Sequence, residues 1–256
     1  MASDSFGDFQ WIHPTAEIGD GCTLGYGVVI EAGARLGPGC SIGHHAVIHA
    51  GVQLGAGCRV EDQAVLGRQP RPAPTSTVKV PKALPPLVIG EGSSIGTGAV
   101  VYTGTTIGRQ CLVGDLAFVR EQVHIGDRVI VGTHVTVENE VSIGDGVKMQ
   151  TGAYITAWTT IEADCFIAPC VVTTNDNYMG RTERRFAERG GAVIRRGARV
   201  GANVTLLPNV EVGAEAFVAA GSVVSRPVSP ATLVMGSPAR QRRAVPEDEF
   251  VGAQAK

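Results

Sequence analysis

Every sixth residue of this chain is aliphatic over most of its length. The stride runs from Ile12 through Ile18, Leu24, Ile30 and Leu36 to Leu66, resumes at Ile89 and holds to Ile167, and returns from Ile194 to Val224. A period of six fits neither an α-helix nor a simple alternating strand; it predicts a parallel β-helix. Within each six an aliphatic comes first, often followed by Gly, then two variable residues and a small one, as in IGDGCT, LGPGCS, IGTGAV and IGDGVK. Three short strands per triangular coil consume eighteen residues, so residues eighteen apart stack in columns. The three blocks hold thirty sixes, enough for about ten coils and a prism on the order of 50 Å long. Large aliphatics fill the interior, and the small residue four places later fits the tighter part of the wall.

Two interruptions and a tail depart from this rhythm. The segment from Gly67 to Leu87 is rich in proline and base and cannot be regular helix or central strand, so it is expected as an external loop over 67–87. The second, TNDNYMGRTERRFAERGGAV over 174–193, concentrates polar side chains around Tyr178 and Phe186. Loops projecting from a rigid scaffold commonly carry binding residues. The tail, about 237–256, is expected to end in a short helix near PEDEFVGAQAK. The whole, 1–256, reads as one domain.

Composition refines this picture by exclusion. Aromatic residues make up 5% of the chain, as narrow coils demand, and net charge is −2, which gives no footprint for nucleic acid. No long apolar run or signal-like N-terminus suggests a membrane or export route, so a cytoplasmic protein is expected. Cys22, Cys40, Cys58, Cys111 and Cys165 occupy the small-residue position and read as wall residues rather than as a metal or disulfide framework.

One stretch of the middle block abandons glycine at its corners. VREQVH, VENEVS and ITAWTT put Arg120, Glu138 and Thr156 where Gly usually stands, and stacking aligns Glu121, Asn139 and Ala157, then Gln122, Glu140 and Trp158. Such a set is a candidate functional face.

The strict hexapeptide pattern resembles the left-handed β-helix family, an exception to the right-handed crossover rule. VENEVSIGDG, the TTNDN break and the closing VMGSPAR make the chain similar to acyl-CoA-dependent N-acetyltransferases that modify nucleotide-linked amino sugars. The resemblance implies acetyl-CoA as cosubstrate with no metal, a homotrimer, and sites in clefts between subunits. In several relatives the position matching Asn139 is a histidine base paired with the neighbour matching Glu140. An asparagine cannot serve as that base, and the chain is closer to a branch acting on 3-amino sugars that has Asn there and needs no protein base.

On this reading Asn139, Glu140 and His134 are the catalytic candidates, and His134 or His124 could supply a missing base. Arg120, Glu121, Glu138, Asn175, Asp176 and Arg181 are candidates for the sugar substrate. Gly201, Ala202, Ala219, Ala220 and Gly221 could face the pantetheine amides, with Arg226 and Arg240 for the phosphates of CoA. Two rivals come from other classes. IGHHAVIHAG places His44 and His49 at the spacing of two zinc ligands of a γ-class carbonic anhydrase, but no third matches. A noncatalytic β-helix scaffold is the other.

Overall fold

The computed structural model describes residues 9–77 and 80–253. The parts of the expected single domain at 1–8, of the first loop at 78–79 and of the tail at 254–256 lie outside the described residues.

The chain is a left-handed parallel β-helix of two-residue strands wound into three flat sheets. The first sheet has 11 strands, from Trp11–Ile12 to Val223–Val224; the second has 10, from Glu17–Ile18 to Glu211–Val212; the third has 12, from Thr23–Leu24 to Arg240–Ala244. Register follows the predicted columns of eighteen: Thr136 faces Tyr154 and Ser142 faces Thr160. Each coil hydrogen-bonds to the next, as Glu138 N–H does to the Ile155 carbonyl at 2.8 Å.

The core is the hexad aliphatics themselves. Ile30, Ile48, Leu66, Ile95, Ile143, Met149 and Ile155 are fully enclosed. Each contributes about 1.5–3 kcal/mol by leaving water. The cysteines behave as wall residues: the Cys111 thiol donates to the Gly126 carbonyl at 3.1 Å, and burial pushes Cys40 up to about 11 and Cys165 up to about 12. These thiols are inert at neutral pH.

The three edges of the prism are not equivalent. After strands of the second and third sheets the corner usually opens with Gly, because the next coil passes too close for a side chain: a Cβ on Gly55 would lie 2.5 Å from the Glu91 nitrogen. After the inward aliphatic of the first sheet's strands the corner opens instead with His13, Glu31, His49, Tyr102, Arg120, Glu138 and Thr156. This edge alone regularly carries side chains at that position.

Both loops leave from the same edge. The first follows strand Val65–Arg68 and ends at Val88–Ile89; the second follows Val172–Thr173 and ends at Val193–Ile194. Between them lie the corners at 102–104, 120–122, 138–140 and 156–158. The loops meet above these corners, where Arg185 Nη2 donates to Thr77 Oγ1 at 3.0 Å. The second loop contains a helical turn, Arg185–Glu188, that periodicity gave no sign of.

The tail adds an element that the repeat did not announce. Strand Arg240–Ala244 pairs antiparallel with Thr232–Met235 and closes the end of the third sheet, and the segment expected to be helical holds a 3-10 turn, Glu247–Glu249, among the described residues. The physical reason is the open edge of the last coil, whose unpaired backbone groups are satisfied by a returning strand. Arg199 then anchors the tail through Glu249 at 2.8 Å.

Candidate active site

The corners between the two loops line a cleft of about 800 Å³. Its floor is Arg120, Glu138, Asn139, Glu140, Thr156 and Ala157; its walls are Tyr154 and Trp158 from the prism, Ser76 and Thr77 from the first loop, and Asn175, Phe186 and Arg189 from the second. A smaller hollow of about 290 Å³ shares Ser76, Arg120 and Glu138 and extends between Pro70–Pro72 and the rings of Tyr102 and Phe118.

Local conformation presents these side chains. Gln122, Glu140 and Trp158 occupy the corner position that requires positive φ, at 59°, 58° and 65°. Gln110 with Arg128 and Leu116 with His134 take the same conformation on the other two edges, so this edge differs in which side chains the corner presents and not in its backbone.

A charged network underlies the floor. Arg120 forks onto Glu121, with Nη2 at 2.8 Å and Nε at 3.2 Å, while its Nη1 donates to Glu138 at 2.8 Å. Burial opposes the guanidinium charge, and Glu121 and Glu138 outweigh it, holding Arg120 above its ordinary value. Glu121 is only 1% exposed. Tyr154 donates its hydroxyl to the other oxygen of Glu138 at 3.2 Å. Burial, then the Glu138 carboxylate, pushes that phenol up to about 12, so it stays protonated as a donor. Glu138 is thereby held from two sides.

Asn139 is buried, and its Nδ2 donates to Glu140 Oε1 at 3.1 Å. With Nδ2 engaged, its Oδ1 is left to accept from a ligand. Beneath the next corner, Thr173 Oγ1 accepts from the Thr156 backbone N–H at 2.7 Å and fixes that turn.

The structure brings together Arg120, Glu138, Asn139, Glu140 and Asn175 of the residues expected from sequence, with Glu121 directly beneath. Asp176 supports the second loop rather than the cleft: it accepts from the N–H groups of Tyr178 and Gly180 at 2.8 and 3.0 Å and pairs with Arg185 at 3.3 Å. Those backbone donors, with Arg185, hold its carboxyl below the usual aspartate range. Arg181 is exposed and does not line the cleft. His134 is exposed at the corner joining the third sheet to the first, the opposite edge of the first sheet from Asn139. His124 points out from the second sheet and bonds Thr106 at 2.7 Å. No histidine lines the cleft.

The residues expected to hold CoA share the edge of His134, except for Arg226, which follows the first sheet, and Arg240, on the closing strand. The N–H groups of Gly201, Ala219 and Gly221 are spent on the coil ladder. Those of Ala202 and Ala220 have no partner among the described residues. The histidines that suggested zinc are scattered: His44 Nδ1 accepts from the Tyr26 N–H, and His49 faces Glu31 at 3.2 Å. Among the described residues no group of three or more metal-ligating side chains converges.

Periodicity could not reveal Arg189 and Phe186, which reach the cleft only through the path of the second loop. Tyr154 and Trp158 were in register with the polar corners, and the column through Gln122 and Glu140 was the signal for Trp158.

The bacterial transferase hexapeptide (six repeats) matches residues 33–68, 104–139 and 191–226, and the hexapeptide repeat of succinyl-transferase matches 86–114 and 122–157. Together they span more than half of the chain, which belongs to the hexapeptide-repeat acyltransferase family. It is 36% identical to the serine acetyltransferase of Buchnera aphidicola subsp. Acyrthosiphon pisum over 90 residues, 35% of this chain and 31% of that protein. It is 38% identical to the Escherichia coli (strain K12) serine acetyltransferase over 90 residues, 35% of this chain and 30% of that one. The matches thus span under a third of these relatives. Among solved structures, the Arabidopsis UDP-N-acetylglucosamine acyltransferase superposes with a TM-score of 0.60 at 19% identity, covering 92% of this chain and 72% of that chain. LpxA from Acinetobacter baumannii gives 0.51 at 15% identity, covering 93% and 73%. These two likenesses establish the fold. No helix among the described residues is long and apolar enough to cross a membrane.

Proposed function

We propose that the chain is an acyl-CoA-dependent N-acetyltransferase acting on the amine of a nucleotide-linked amino sugar, with a 3-amino sugar favoured. The observation that carries this is the cleft itself. On a prism whose other edges usually open with glycine, one edge gathers Asn139, Glu138 and Glu140 between two converging loops. Carboxylates and an amide oxygen suit an amine bearing N–H donors, and the absence of histidine from the lining suits direct attack.

In this mechanism Asn139 Oδ1 accepts from the amine N–H and aims the nitrogen lone pair at the thioester carbonyl. The C–N bond forms and the carbonyl π pair moves to oxygen. The oxygen pair then re-forms the carbonyl as the C–S bond breaks, and the surplus ammonium proton passes to the departing sulfur, directly or through water, leaving the amide and free CoA. Glu138, fixed by Arg120 and Tyr154, positions the acceptor.

The donor is proposed to lie along the edge of Ala202 and Ala220, across the first sheet from the cleft. Two copies must then meet for donor and acceptor to react. The outward row of the first sheet supports such association: Trp11, Val29, Val47, Val65, Phe118 and Val172 point away from the core, whereas the second sheet presents Glu17, Arg35, Gln53, His124 and Ser142. A homotrimer is the expected state. Sedimentation equilibrium tests it, and a monomer that turns over substrate would refute it.

The reaction is tested by release of CoA thiol from acetyl-CoA across nucleotide-linked 3-amino and 4-amino sugars, with product mass. Turnover in which the sugar gains one acetyl group supports the reading; absence of both turnover and acetyl-CoA binding removes it.

A further inference from the structure

We infer that Arg189 is the phosphate-binding residue of the acceptor subsite and that the ligand entering the cleft is a sugar carrying a diphosphate. This deepens the acyltransferase reading and rests on it for the identity of the amine.

Two cations line the cleft, Arg120 and Arg189. Arg120 is neutralised by Glu121 and Glu138 at 2.8 Å each. Arg189 is different: its guanidinium lies 4.5 Å from the Trp158 ring centroid and 5.2 Å from that of Phe186, and it has no carboxylate partner among the described residues. Neighbouring charges are already engaged, Arg185 by Asp176 and Glu188 by Tyr178.

Aromatic contacts hold a guanidinium in place without consuming its N–H donors. A half-buried arginine held this way keeps its fork available for an anion, and the fork matches phosphate geometry. The backbone supports the arrangement: the Gly190 N–H donates to the Asn175 carbonyl at 3.0 Å, and Asn209 Nδ2 donates to the Glu188 carbonyl at 2.8 Å. The loop therefore returns to the prism immediately around Arg189.

Spacing decides whose phosphate this is. A sugar ring places its anomeric phosphate a few bonds from its amine. The pantetheine arm of CoA separates its phosphates from the thioester by a long chain. A cation sharing one cavity with Asn139 and Glu140 therefore fits the acceptor. The charge pattern agrees, since the carboxylates of Glu138 and Glu140 would repel a diphosphate and attract the amine, orienting the sugar with its phosphates toward Arg189.

The test is titration calorimetry without any acyl donor, using UDP, dTDP and GDP as probes, on the wild type, Arg189→Gln and Arg189→Lys, with free CoA as a separate arm. One nucleoside diphosphate should bind the wild type. Arg189→Gln should weaken it about tenfold or more, as expected for loss of a charge-assisted hydrogen bond, and Arg189→Lys should recover part of it. CoA binding should stay unchanged. Matched melting curves establish that the loop variants remain folded, and Arg189→Lys carries the test should Arg189→Gln melt early. Equal diphosphate affinity in all three proteins, no diphosphate binding to the wild type, or loss of CoA binding in its place would each overturn the assignment. Failure of acetyl transfer alone would not, because the binding is measured without it.

Discussion

Replacing Arg120 with methionine would leave Glu121, 1% exposed, as a buried carboxylate with no cation beside it. The fork that Arg120 makes onto Glu121 involves side chains 19% and 2% exposed, so solvent screens it little. Breaking such a pair from one side costs about 3–5 kcal/mol. The contact with Glu138, whose side chain is 21% exposed, adds at most about 1 kcal/mol. Urea denaturation should therefore show Arg120→Met destabilised by about 3–5 kcal/mol. Pairing it with Glu121→Gln removes the stranded charge, and the double variant should recover about 1–3 kcal/mol relative to Arg120→Met. Because coils of a solenoid can unfold in part, hydrogen exchange at Val119, Val137 and Ile155 should show the loss concentrated around these coils. An Arg120→Met protein within about 1 kcal/mol of wild type, or a double variant no more stable than the single, would refute the reasoning.

Other perturbations probe separate parts of the structure. Asp176 has a lowered folded value, so its support of the second loop is fully present above the ordinary aspartate range and is lost as pH falls through the depressed value. Limited proteolysis between 176 and 189 by an acid-active protease should quicken over that acid window, and Asp176→Asn should abolish the pH dependence. Ile143→Ala empties a fully buried position and should cost about 2–5 kcal/mol in urea, whereas Leu24→Ala, only partly buried near the N-terminal end, should cost less. Gly191→Ala would put a Cβ against the Thr159 backbone nitrogen, at 2.2 Å. It should lower the melting temperature and shift Trp158 fluorescence in a Trp11→Phe background; an unchanged spectrum would show that the loop's return does not set the Trp158 wall.

The fold was legible because its energetics are periodic. A narrow prism demands an aliphatic at every sixth place, and Ile143 or Ile155 can be located by counting alone. The polar corners at 120, 138 and 156 were legible for the same reason, since their departure from glycine is visible only against a strict repeat. Counting also shows that both loops interrupt the same edge, after Leu66 and Thr173, which is why they converge. Arg189, Phe186 and Thr77 were not legible: they reach the cleft through loop conformations with no period. His134 marks the limit from the other side. It lies five positions before Asn139, yet each step around a corner moves to another face, and the whole width of the first sheet lies between them. The strand at 240–244 was not legible because it answers the open edge of the last coil and carries no repeat of its own, whereas PEDEF does hold a 3-10 turn.

The central claim is that Asn139 aims an amine at an acyl-CoA thioester within the cleft. Its most direct test compares wild type and Asn139→Ala in acetyl-CoA turnover with nucleotide-linked amino sugars, following free thiol and product mass together. The account predicts a monoacetylated sugar from the wild type and a fall in kcat/KM of about 100-fold in the variant, the scale for losing one orienting or charge-stabilising contact, with acetyl-CoA affinity unchanged. Turnover undiminished in Asn139→Ala, or a wild type that neither binds acetyl-CoA nor releases thiol, would contradict it.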